Sequence, residues 1–83
     1  MNALARSPKQ MGQLIQRHRK ALNLSQSHLA SRSGVRQEMI SRIESGHDGA
    51  KLGTICNLLA ALGLEMTIGP RSKSSIADIE DIF

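Results

Sequence analysis

The sequence predicts an all-α protein of four to five short helices, followed by one short strand. Three observations carry that expectation. Apolar residues recur at three- and four-residue spacing through most of positions 7–63, the period of a helix with one buried face. Serine opens and glycine closes several of these stretches, as caps do. Only Leu64 to Gly69 alternates with period two. Eighty-three residues allow one domain with a small core. It divides into a flexible N-terminus (1–6), a helical domain (7–63), a strand (64–70) and a flexible tail (71–83).

The first helix starts where Ser7 can cap, Pro8 fits the first helical position and Gln10 completes a Ser-x-x-Gln capping box. Met11, Leu14, Ile15, His18 and Leu22 form its inward stripe, which ends near Asn23. Arg6, Lys9, Arg17, Arg19 and Lys20 decorate the remainder.

Residues 24–46 read LSQSHLASRSGVRQEMISRIESG, two short helices joined by a glycine-centred turn. The Ser25 hydroxyl can accept from the orphan N–H groups of the turn formed by Gln26, Ser27 and His28. Leu29 and Ala30 supply a narrow apolar stripe. Gly34 then stands where the chain needs a positive φ, so the helix stops after about two turns, and Val35 is buried at the corner. The next helix runs from about Gln37 to Ser45 and is closed by Gly46. At about 100° per residue, Ile40, Ile43 and Glu44 share one face, and Glu38, Ser41, Arg42 and Ser45 share the opposite one. Such a pair of helices is a helix-turn-helix unit, whose second helix lies in the DNA major groove.

The segment HDGAKLG reads as a loop in which His47, Gly49 and Lys51 can approach a phosphate, with Lys51 supplying charge. A further helix from about Thr54 to Leu62 turns Ile55, Leu58, Leu59 and Leu62 inward and stops at Gly63. Cys56, the only cysteine, lies in this apolar helix and reads as a small buried side chain. Beyond it, Leu64, Met66 and Ile68 alternate with Glu65 and Thr67 as a half-buried strand does. A lone strand needs a partner, and the same strand of a second copy would make a symmetric homodimer. In the tail, Ile76, Ile79, Ile82 and Phe83 fall at helix-like spacing among Asp78, Glu80 and Asp81. Two readings of it stand side by side: an inert end, or a peptide that docks Ile79, Ile82 and Phe83 into a partner's groove.

Charge distribution narrows the function. Residues 1–75 carry all eleven basic side chains and four acidic ones, whereas residues 76–83 carry three acidic and none basic. The body is suited to a polyanion. Trp and Tyr are absent and Phe83 is the only Phe, which argues against single-strand binding on aromatic platforms. There is no apolar run long enough for a membrane span or a secretion signal, so a cytoplasmic protein is expected. Enzyme readings fail on inventory: His18, His28 and His47 lack partners at metal-ligand spacing, and no nucleophile has an evident base. Neither a metal nor a cofactor is expected.

The run L-S-Q-x-x-L-A-x-x-x-G-V-x-x-x-x-I-S-x-I-E-x-G resembles the Xre, or Cro/repressor-like, family of DNA-binding domains, with residues 9 to 64 fitting that domain. The resemblance implies a lambda-repressor-like fold acting on double-stranded DNA at an inverted-repeat operator. It also implies that Arg19 pairs with Glu44 beneath the recognition helix. The family usually has Ser or Thr where this chain has Arg36, which removes a helix cap and favours Arg36 as a contact to DNA backbone or a base edge. Gln26, at the start of its helix, would meet a phosphate. On the recognition helix, Gln37 can take adenine bidentately, Arg42 guanine and Glu38 a cytosine amino group, while Ser41 is permissive. Met39 would touch a thymine methyl or cover the helix flank.

The order of elements and the segment LGLEMTIGP are similar, more loosely, to HipB-type antitoxins. That likeness implies a dimeric repressor that autoregulates its operon and binds a HipA-type serine/threonine kinase toxin. Rival readings are a phage-type repressor or restriction-modification controller protein without a toxin partner, and an interaction module with a vestigial helix-turn-helix.

Overall fold

The computed structural model describes residues 3–71. They form four helices: α1 (Pro8–Ala21), α2 (Gln26–Ser33), α3 (Gln37–Glu44) and α4 (Leu52–Ala61). No strand occurs among the described residues.

The helix starts follow the cap chemistry. Ser7 Oγ accepts from the Gln10 N–H at 3.1 Å, and Pro8 follows at the first helical position. Gln10 Oε1 accepts from the N–H of Arg6, one residue before the cap. On α2, Ser25 Oγ accepts from the His28 N–H at 3.0 Å. His28 Nδ1 accepts in return from the Ser25 N–H at 3.5 Å, a reciprocal box that places His28 in a structural role. By contrast α3 and α4 start at Arg36 and Lys51 with no side-chain cap. α4 begins two residues before the periodicity suggested, because Leu52 and Gly53 continue the helix outward from the apolar stripe.

Three helices end in the same way. The N–H groups of Leu24, His47 and Leu64 reach back five residues to the carbonyls of Arg19, Arg42 and Leu59. Asn23, Gly46 and Gly63 take the intervening positive φ, which satisfies otherwise orphaned carbonyls. α2 instead stops at Gly34, with φ of 77° and its N–H on the Ala30 carbonyl. That single left-handed residue sets the turn into α3.

The core is aliphatic: Ile15, Leu29, Val35, Ile40, Ile43, Leu58, Leu59 and Leu62 are all buried. α3 packs against both α1 and α2, and α2 packs against α4, so α3 has its inner face fully occupied. Gly12 allows the α1–α3 approach. A Cβ there would stand 2.0 Å from the Ile43 carbonyl oxygen, so the backbones meet where any side chain would hold them apart.

Two expectations are corrected. Leu22 is not part of the buried stripe but is 49% exposed, because α1 ends at Ala21 and the left-handed turn at Asn23 carries the chain away from the core. Cys56 is exposed rather than buried, since Ile55, Leu58, Leu59 and Leu62 set the inner face of α4 and leave Leu52, Cys56 and Ala60 on the outer one. Residues 64–71 form neither helix nor strand in the single chain, as a ladder requires a second strand. Leu64 packs on the core, while Met66 and Ile68 are exposed. Ile79, Ile82 and Phe83 lie outside the described residues.

Candidate nucleic-acid interface

Gln26, Arg36, Gln37, Glu38, Ser41 and Arg42 together line one open concavity. Helical periodicity explains most of the α3 members: Ile40, Ile43 and Glu44 turn inward and are buried, so Glu38, Ser41 and Arg42 are left exposed on the outer face, and Gln37 is exposed as the first residue of the helix. Arg36 joins them because it occupies the N-cap position with its side chain unused as a cap. Gln26 arrives from the first turn of α2. Two guanidinium groups and one carboxylate leave this face positive, and its amide and hydroxyl groups both donate and accept. Met39 is half-buried and packs against the core, which assigns it to the helix flank. Lys51 is exposed but is not among the residues lining this concavity. It stands at the N-cap of α4, where a cation opposes the helix dipole.

Beneath this face lies a charged cluster. Arg19 Nε donates to Glu44 Oε2 at 2.7 Å and Arg19 Nη2 to Glu44 Oε1 at 2.9 Å, a bidentate pair with both residues buried. The same guanidinium donates through Nη1 to the Leu24 carbonyl at 2.8 Å, tying the end of α1 to the start of α2. The hydrogen bond to Glu44 raises the guanidinium pKa above its ordinary value. Desolvation opposes this, and Coulomb attraction to the same carboxylate adds to it. A raised cation pKa in the folded state contributes stability at every pH below the unfolded value, hence throughout the physiological range. Gln26 Nε2 donates to Glu44 Oε1 at 3.2 Å, a link that sequence reasoning missed. Gly12 was missed too, although a glycine inside a helical pattern is itself a signal of close packing.

Among the described residues no group of His, Cys, Asp and Glu is arranged to hold a metal ion, and no helix is long and apolar enough to cross a membrane. Two helices joined at Gly34, with a buried inner face and a polar outer one on the second, define a helix-turn-helix protein. The chain belongs to the Helix-turn-helix family, whose model matches residues 15–68.

Known proteins bear this out. An HTH-type transcriptional regulator of Haemophilus influenzae is 46% identical over 52 residues, which cover 63% of this chain and 53% of that protein. One from Sinorhizobium fredii is 37% identical over 59 residues, covering 71% and 30%. The chain therefore spans about half the length of the first and under a third of the second. Among solved structures, a HipB–O4 20mer complex matches with a TM-score of 0.79 at 30% identity, over 86% of this chain and all of that one. A HipA–HipB–O2–O3 complex matches with a TM-score of 0.78 at the same identity and coverage. The fold and the family resemblance read from the sequence agree with these matches.

Proposed function

We propose that the protein is a sequence-specific, dimeric repressor that uses α3 to read the major groove, and that it is the antitoxin of a HipA-type kinase module regulating its own operon. The convergence of six polar side chains from α2 and α3 on one concavity carries the DNA-binding reading. Gln37, Glu38, Ser41 and Arg42 read base edges. Gln26, Arg36 and Lys51 hold the backbone and fix the register. Acting on DNA, the protein works in the cytoplasm, as a binding protein rather than an enzyme.

Dimerisation is supported by apolar surface that one chain leaves uncovered: Leu52 is 68% exposed and Ile68 102%, with Cys56 and Ala60 on the same outer face of α4 as Leu52. Leu64, Met66 and Ile68 would pair with their copies and place two recognition helices about 34 Å apart on an inverted repeat. The similarity to a chain of a HipA–HipB–O2–O3 complex supports the kinase partner, with Ile79, Ile82 and Phe83 of the tail as the docking segment.

The test is affinity capture of the full chain from its own cells, with and without residues 71–83, followed by mass spectrometry and by binding to its own promoter DNA. A stoichiometric kinase lost on truncation supports the antitoxin reading. Promoter binding without such a partner leaves a stand-alone repressor, and absence of promoter binding overturns both.

A further inference from the structure

We propose that Glu44 is a positioning residue for DNA contact: held by Arg19, it fixes the side-chain amide of Gln26 so that one of its two N–H groups is committed inward and the other is presented to a backbone phosphate. This inference rests on the DNA-binding reading above. Three helices meet at the carboxylate, which takes Arg19 from α1 at 2.7 and 2.9 Å and Gln26 from α2 at 3.2 Å while itself standing at the end of α3.

The chemistry determines the sense of the amide. A carboxylate paired with a guanidinium has lone pairs and no proton to give, so only the NH2 end of Gln26 can face it. Reversing the amide would set two oxygens against each other. A phosphate oxygen is likewise an acceptor only. A single NH2 group is therefore able to bridge the buried anion and the DNA anion, one proton to each, whereas an unconstrained amide would present its oxygen about as often.

The arrangement also orders Gln26 before DNA arrives. A glutamine has three side-chain torsions, and immobilising such a side chain on binding lowers affinity by about two- to tenfold. Here the hydrogen bond to Glu44 restricts those torsions in the free protein. The buried pair thus has a second consequence besides joining α1 to α3: it presets a side chain on the interface.

The experiment has two arms. In the first, side-chain amide resonances of the full-length protein are recorded by NMR without DNA. The Gln26 pair is expected to be widely split, with one proton shifted downfield and slow to exchange relative to exposed Gln13. A Gln26 pair indistinguishable from that of Gln13 overturns the proposal.

In the second arm, affinity for the protein's own promoter is measured for Gln26→Ala, for the double variant Arg19→Met/Glu44→Leu, which removes the anion without stranding the cation, and for the triple variant. Gln26→Ala is expected to lose about two- to tenfold in the native background and little more when the pair is gone. Equal losses from Gln26→Ala in both backgrounds, with folding intact by circular dichroism, overturn the proposal. Failure of the double variant to fold leaves the NMR arm decisive. A split Gln26 resonance in a protein that binds no duplex overturns the DNA-binding reading and not the positioning geometry.

Discussion

Replacing Gly12 by alanine sets two physical effects against each other. Alanine is the better helix former by about 1 kcal/mol at an interior position, so local propensity alone predicts a more stable protein. Tertiary packing predicts the reverse. The new Cβ would lie 2.0 Å from the Ile43 carbonyl oxygen, 3.1 Å from the Ile43 carbonyl carbon and 3.2 Å from the Glu44 Cα. All three atoms are backbone, so no rotamer change relieves the clash. To reach ordinary contact at about 3.4 Å, α1 and α3 must separate by roughly 1.4 Å, which strains the bidentate Arg19–Glu44 pair. Overpacking of this kind costs about 1–3 kcal/mol, and an immovable backbone neighbour puts the cost at the upper end. The expected net loss is about 2 kcal/mol. For a domain this size that corresponds to roughly 8–16 °C in Tm, read by circular dichroism or calorimetry. A rise in Tm would refute the close approach of α1 and α3.

Arg19→Ala should cost about 3–5 kcal/mol, because it leaves Glu44 buried without its cation; a urea midpoint unchanged from the native protein would contradict the pairing. Arg42→Ala should lose about 1–3 kcal/mol on the preferred operator and relax the preference at one base pair. Lys51→Ala should instead weaken all sequences alike and reduce the slope of log K against log salt by about 0.9, both measurable by fluorescence anisotropy; matching profiles for the two variants would remove the distinction between base and phosphate contacts. Cys56 should react with a maleimide in dilute protein without denaturant and become protected as copies pair at higher concentration. Reaction only after unfolding, at every concentration, would return the thiol to the core.

Local chemistry made much of this molecule legible. Ser7, Pro8, Ser25, Gly34, Gly46 and Gly63 mark helix ends through bonds spanning only a few residues, and the structure places ends at or beside them. The outer face of α3 followed from periodicity, since the burial of Ile40 and Ile43 leaves Glu38, Ser41 and Arg42 on the opposite side. Errors arose where a pattern was ambiguous on its own. Leu22 continued an apolar stripe past the point at which the helix stops, and Cys56 sat in a helix apolar on nearly every side, so composition did not reveal which side faces the core.

The sequence by itself determined the all-α class, the helix-turn-helix and the polar outer face of its second helix, because caps, turns and 3.6-residue periodicity act over short spans of chain. Apart from the Arg19–Glu44 pair that the family resemblance implied, only the tertiary structure decided which residues meet across helices. The clearance at Gly12 and the Gln26–Glu44 hydrogen bond join residues far apart in the chain. Contacts of that kind depend on the distance and crossing of packed helices, which are set by the shape of the whole core and by no local run of residues.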